Sequence, residues 1–245
     1  MSQQQVTLPA KDGPCKAWVL TPDGQGPWPA VIFYCDVFGI RPAMIQMAAH
    51  VASQGYLVLL PDLFYRFGDY GPFEPKEVMK GDFRSVVGPI AATTNNKKAG
   101  EDTADFIAYL DTRPDVASKK IAVVGFCMSG GMALTAAAYY PDRIVAAASF
   151  HGGRLASDQP DSPHLLADKI KAEVYIAGAD ADQSYPPEMA QRLEEALTKA
   201  GVKHKCEIYA GKHHGWMKPD MPVYDAEAAK RGWRELFTLL GRTLR

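Results

Sequence analysis

The sequence has no C-x-x-C pair, no surplus of either charge and no apolar run that is both long and unbroken. Each absence removes a class of protein. The four cysteines, Cys15, Cys35, Cys127 and Cys206, lie far apart and in or beside apolar stretches, which argues against a disulfide framework and against a zinc site. Twenty-seven Lys and Arg against 28 Asp and Glu leave a net charge of −1, so neither nucleic acid nor a membrane surface is an expected partner. The most apolar window, 121–140, has the length of a membrane span, but Ser129-Gly130-Gly131 interrupts it and a strand followed by a helix fits better. The first residues, Met1 to Gln5, hold no basic stretch leading into an apolar one. No secretory signal is therefore expected, and a cytoplasmic location is.

What is present is a regular alternation. Short runs rich in Val, Ile, Tyr and Leu at 30–34, 56–60, 121–124, 146–150, 173–177 and 205–209 predict strands. Between and after them, 44–53, 101–111, 128–139, 188–200 and 226–244 carry apolar residues at helical spacing. Strands that alternate with helices imply an α/β fold, a mostly parallel doubly wound sheet with helices on both faces. Residues 16–20 are expected to add an antiparallel edge strand. With 245 residues and 47% hydrophobic content the chain can bury a large core, and a single domain over 1–245 is expected. The segment 67–98, with seven Gly and Pro residues, is longer than an ordinary connection and is expected to form a cap or lid.

In sheets of this kind ligands sit beyond the carboxyl ends of the strands. The strand end at 121–124 leads into Gly125-Phe126-Cys127-Met128-Ser129-Gly130-Gly131, which reads as a nucleophile elbow carrying a cysteine. A sharp strand-to-helix turn requires small residues on both sides of the nucleophile, and Gly125 and Ser129 meet that requirement. The first amides of the following helix would favour the thiolate. A dinucleotide or P-loop phosphate site is set aside, because neither G-x-G-x-x-G nor a Lys-Ser/Thr pair stands here. The next requirement is an acid and a base. The loop Gly178 to Gln183 offers Asp180 and Asp182, one of which is free to cap a turn instead. The loop Gly211 to Trp216 offers His213 and His214. Nucleophile, acid and base then follow in the order of α/β-hydrolases.

From about Gly13 to the C-terminus the chain resembles the dienelactone hydrolases (carboxymethylenebutenolidases), which have the α/β-hydrolase fold. The likeness is carried by Gly-Phe-Cys-Met-Ser-Gly-Gly at 125–131, by Cys35-Asp36-Val37-Phe38-Gly39-Ile40-Arg41, by Gly55-Tyr56 leading to Leu60-Pro61-Asp62-Leu63-Phe64, and by His214-Gly215-Trp216. The resemblance implies Cys127, Asp182 and His214 as a catalytic triad, because the family's acid stands four residues before a Pro-containing helix start and its base lies in His-Gly-aromatic. It further implies an oxyanion hole from the backbone N–H groups of Val37 and Met128. Asp36 stands where the family carries a glutamate that takes part in activating the cysteine, and is one methylene shorter. Lys218 stands where the family has a carboxylate-binding arginine four residues after its histidine, and a lysine supplies charge without a bidentate fork. Arg84 is a second candidate cation, and His151 and Trp216 are candidate pocket residues.

The activity implied is hydrolysis of an ester or lactone, above all of the dienelactone type, with no metal or organic cofactor. A general carboxylesterase or acyl hydrolase is the alternative, and a redox-sensing or ligand-binding protein using Cys127 is a third reading. The expected partner is a small-molecule ester or lactone, and the protein is expected to be a monomer or a small homo-oligomer.

Overall fold

The computed structural model describes residues 1–245. Its strands are β1 (Ser2–Ala10), β2 (Gly13–Thr21), β3 (Trp28–Tyr34), β4 (Leu57–Pro61), β5 (Val116–Phe126), β6 (Ile144–Phe150), β7 (Glu173–Ala181) and β8 (His204–His213). They form one eight-stranded sheet in the order β1-β2-β4-β3-β5-β6-β7-β8. The β1–β2 and β2–β4 pairs are antiparallel, and every other pair is parallel. A run that is apolar at every position has no polar face to show to water, so it settles where both faces of the sheet are covered. That is where Ala30 to Tyr34, Leu57 to Leu60, Ile121 to Phe126 and Ala146 to Phe150 lie, nearly all without solvent exposure. Each fully buried Val, Leu or Ile there contributes about 1.5–3 kcal/mol relative to exposure.

The helices are α1 (Pro42–Ser53), α2 (Pro75–Val78), α3 (Phe83–Ala91), α4 (Asn96–Asp111), α5 (Ser129–Tyr139), α6 (Pro187–Lys199) and α7 (Ala226–Thr243). On one face α1 and α7 meet where His50 packs edge-on against Trp233 and Phe237. On the other, α4 packs on α5, and a 3₁₀ helix at Pro163–Lys169 bridges α5 to α6. Helix starts follow local chemistry: Pro42 opens α1, Asn95 accepts from the Lys98 N–H at the head of α4, and Asp225 does the same for Ala228 in α7. No helix is long and apolar enough to cross a membrane.

The alternation of strands and helices matches the sequence reading, with two differences. Residues 16–20 belong to β2, which is an inner strand; the edge is β1, which the sequence reading leaves as coil. Ser2 to Gln5 are exposed, so no apolar pattern announces this strand, and its order comes from pairing all nine residues with β2. The second difference lies in 67–98, where α2 and α3 are short helices, the latter with Pro89 inside it.

Register aligns the carboxyl ends that matter. Tyr34 pairs with Gly125, Phe126 with Phe150, and Phe150 with Ala177. The loops after β3, β5, β6, β7 and β8 therefore converge on one edge of the sheet.

Candidate active site

At the end of β5 the chain reverses into α5 within two residues, and the turn leaves no room for a side chain on its inner side. A Cβ on Gly125 would stand 2.0 Å from the Ser129 carbonyl oxygen. Cys127 is held at φ 61°, a left-handed conformation that costs a non-glycine residue about 1–3 kcal/mol. Hydrogen bonds hold it there. The Cys127 N–H donates to the Phe150 carbonyl at 3.1 Å, and the Phe126 N–H donates to the Ser129 hydroxyl at 2.8 Å. Ser129 is fully buried, so its role in the turn is to replace main-chain bonds that the reversal breaks.

His214 follows β8 and Asp182 follows β7, and the two are joined by a 2.6 Å hydrogen bond from the imidazole Nδ1 to carboxylate Oδ2. The imidazole also lies close enough to the Cys127 thiol for each to shift the other's titration. With Nδ1 engaged by Asp182, Nε2 is the nitrogen that faces sulfur. Burial pushes the Cys127 thiol up, but the nearby His214 outweighs it, with help from Lys218, and holds the thiol below its ordinary value. The His214 ring behaves conversely: burial disfavours its charge, while Cys127 and Asp182 more than restore it and raise the imidazole above its usual range. The two shifts together favour a thiolate beside an imidazolium. Asp182 itself is held ionised, since the bonds from His214 and Ser184 overcome its burial.

Ser184 is a site residue that the sequence reading missed. Its N–H and its hydroxyl both donate to Asp182 Oδ1, at 2.8 and 2.6 Å, fixing the carboxylate, and the hydroxyl lies 3.3 Å from His214 Nδ1. The signal available was Asp-x-Ser in a loop, the pattern of an Asx turn. Asp180, the other acid of the loop, is exposed and accepts from the Gly211 and Lys212 N–H groups at 2.9 and 3.1 Å. It ties β7 to the β8 turn. His213 is exposed at the end of β8.

Asp36 and Lys218 are brought together, 182 residues apart in sequence, in a buried ion pair at 2.5 Å. Asp36 also accepts two bonds from Arg41, at 2.8 and 3.1 Å, and one from the Phe38 N–H at 2.9 Å. Its burial favours the neutral acid, yet Lys218 and then Arg41 reverse this and keep it ionised. No hydrogen bond joins Asp36 to Cys127; its carboxylate acts on the thiol only through charge, opposing the thiolate. Arg41 reaches onward to Asp220 through Nε and a terminal nitrogen, at 2.5 and 3.1 Å. Arg41 and Asp220 were not singled out in the sequence, because only the fold places residue 220 beside the loop after β3.

Neither the Val37 nor the Met128 backbone N–H donates a hydrogen bond within the protein. Met128 follows Cys127 in sequence, and Val37 belongs to the apolar cluster against which both pack. Val37 and Phe38 form a small apolar cluster with Val87 of α3 and Met221, and Cys127 and Met128 pack against it. The Phe83 ring of α3 meets Phe38 edge-on at 5.6 Å. Thus part of 67–98 lies over the loop after β3.

The remaining candidates separate. His151, at φ 39° after β6, is fully buried with its ring 5.2 Å from that of His214. Neither of its ring nitrogens has a partner, and burial drives its pKa well below the usual value. A neutral ring there leaves His214 as the local cation. Trp216 is fully buried, stacked on Tyr209 at 4.3 Å and set against Gly232, and so belongs to the core beneath the site. Arg84 is exposed on α3 and makes no side-chain contact with the ion network.

The dienelactone hydrolase family model matches residues 15–244. The chain belongs to the dienelactone hydrolase family. It is a hydrolase of that family with the α/β-hydrolase fold. A Synechocystis protein that carries the provisional name carboxymethylenebutenolidase is 27% identical over 245 residues, covering 98% of this chain and 96% of that protein. The hydrolase TropI of Talaromyces stipitatus is 28% identical over 207 residues, 82% of this chain and 76% of its own. Among solved structures, a provisionally named dienelactone hydrolase from Klebsiella pneumoniae superposes with a TM-score of 0.86 at 22% identity, covering 98% of both chains. At that identity the superposition speaks for the fold alone.

Proposed function

We propose that this dienelactone hydrolase family member cleaves esters or lactones by acyl transfer through Cys127, His214 and Asp182. The observation that carries the reading is His214 hydrogen-bonded to a carboxylate held by Ser184, beside an elbow cysteine whose thiol the imidazole holds below its ordinary pKa. The Cys127 thiolate attacks the substrate carbonyl carbon, and the electron pair displaced onto oxygen is held by the Val37 and Met128 amides. As the tetrahedral intermediate collapses, the leaving alkoxide or enolate takes the proton from His214 Nε2. Neutral His214 then removes a proton from water, whose oxygen attacks the thioester. Collapse of the second intermediate returns the thiolate, the acid product leaves, and the imidazolium is restored. Asp182 keeps the ring oriented and balances its charge in both half-reactions.

Enol lactones suit a thiolate, because an enolate is a good leaving group. Neutral carboxylic esters are the second reading, and the engagement of Lys218 with Asp36 favours uncharged substrates of either kind. The segment 67–98 serves as a cap, its α3 helix placing Phe83 and Val87 over the loop after β3. The test is release of p-nitrophenol from p-nitrophenyl acetate, and opening of cis-dienelactone, by wild type and by Cys127→Ala. Turnover of at least one substrate that vanishes in the variant is the expected result; full turnover without Cys127 would refute the nucleophile.

A further inference from the structure

The charges around Cys127 bear on which acyl group the site admits. A substrate carboxylate needs a cation with free donors, and the buried cations here are already engaged. All five N–H donors of Arg41 are used: one terminal nitrogen on Asp36 and the Gly39 carbonyl, the other on Asp36 and Asp220, and Nε on Asp220. Lys218 is 1% exposed, bound to Asp36 and seated 5.6 Å over the Phe38 ring. Drawing Lys218 toward a substrate anion would take a donor from a fully buried carboxylate, which is unfavourable away from water.

The sum of charge points the same way. With Cys127 and His214 charged, the connected groups are the anions Cys127, Asp36, Asp182 and Asp220 against the cations His214, Arg41 and Lys218. One negative charge is left over, and Asp36 is fixed by four hydrogen bonds, so it does not swing aside. The surface that flanks the thiol is apolar: Val37, Phe38, Val87 and Met221, with Phe73 and Met128 packed on them. Arg84 and Arg154 are exposed, where water and salt weaken their pull on a buried anion.

We infer that the acyl group accepted here is uncharged and apolar, carried as a neutral ester or lactone, in place of a carboxylate-bearing lactone such as dienelactone. The inference rests on the triad reading above. It is tested with two esters of equal acyl length, p-nitrophenyl pentanoate and mono-p-nitrophenyl glutarate, which differ by a terminal carboxylate. The purified protein is assayed at pH 7.5 and low salt, with Cys127→Ala alongside. The expected kcat/KM is at least about tenfold higher for the pentanoate, the scale of one unfavourable charge contact at partly screened distance. The gap should narrow as ionic strength rises. Cys127-dependent turnover of the glutarate ester at an equal or higher kcat/KM would overturn the substrate class and leave the triad standing. No turnover of either ester, or turnover that survives Cys127→Ala, would overturn the triad reading and the substrate class with it.

Discussion

Replacing Lys218 with methionine nearly keeps the side-chain length and removes its charge from one of the two most buried ion pairs of the protein. Asp36 then retains both Arg41 bonds and the Phe38 N–H, but Arg41 is already shared with Asp220. Removing one member of a buried pair costs about 3–5 kcal/mol, and three surviving donors place this case near the lower end, at about 3 kcal/mol. Urea unfolding at pH 7 would measure it. The pH dependence has a definite sign. Asp36 is buried, which raises its pKa, but Lys218 and Arg41 bring it below the ordinary 3.8. Its contribution is therefore complete above that value and is lost as pH falls through the lower folded-state pKa. Without Lys218 the folded-state pKa rises, so the stability gap between wild type and variant should be full above the variant's raised pKa and shrink as pH falls through it toward the wild type's lower one. Wild type and Lys218→Met agreeing within about 0.5 kcal/mol at pH 7, or differing by an amount that does not change with pH, would refute the reasoning.

Three further outcomes concern the site. His214→Ala removes the main cause of the low thiol pKa, so iodoacetamide alkylation of Cys127 at pH 6 should slow by about tenfold or more, as expected for a return toward an ordinary thiol. Asp182→Asn keeps the shape of the loop but loses the carboxylate that orients His214, and kcat should fall by about 10³–10⁴ with an unchanged circular dichroism spectrum. Gly125→Ala puts a methyl 2.0 Å from the Ser129 carbonyl oxygen, with backbone atoms as its next neighbours. It should lose more than about 4 kcal/mol of stability or fail to accumulate as folded protein, measured by expression and thermal unfolding.

The elements that were legible in sequence are those whose signal is local. The central strands show as unbroken apolar runs, and the elbow as glycines and a serine around one cysteine. The edge strand β1 was not legible, since Gln3, Gln4 and Gln5 carry no period and gain their conformation from β2. Helices α2 and α3 were hidden by the Gly and Pro content of 67–98, although Asp82 caps α3 by accepting from Arg84 and Ser85 N–H groups. At the site, the choice of Asp182 over Asp180 came from family likeness. The geometry adds a reason: Asp180 spends its oxygens on the β8 turn, while Asp182 faces His214. The Asp36, Arg41, Lys218 and Asp220 network was out of reach, because its pairs join positions 179 and 182 residues apart. A long-range ion pair is a product of topology, and no spacing in the sequence encodes it.

The most direct test of the catalytic reading is to quench the enzyme during turnover of p-nitrophenyl acetate and map the acetyl group by mass spectrometry of its peptides. The expected result is an acetyl thioester on Cys127 that accumulates in His214→Ala more slowly than in wild type and is absent from Cys127→Ala. Acetyl found on Ser129, Ser184 or elsewhere, with steady turnover surviving the loss of Cys127, would contradict it.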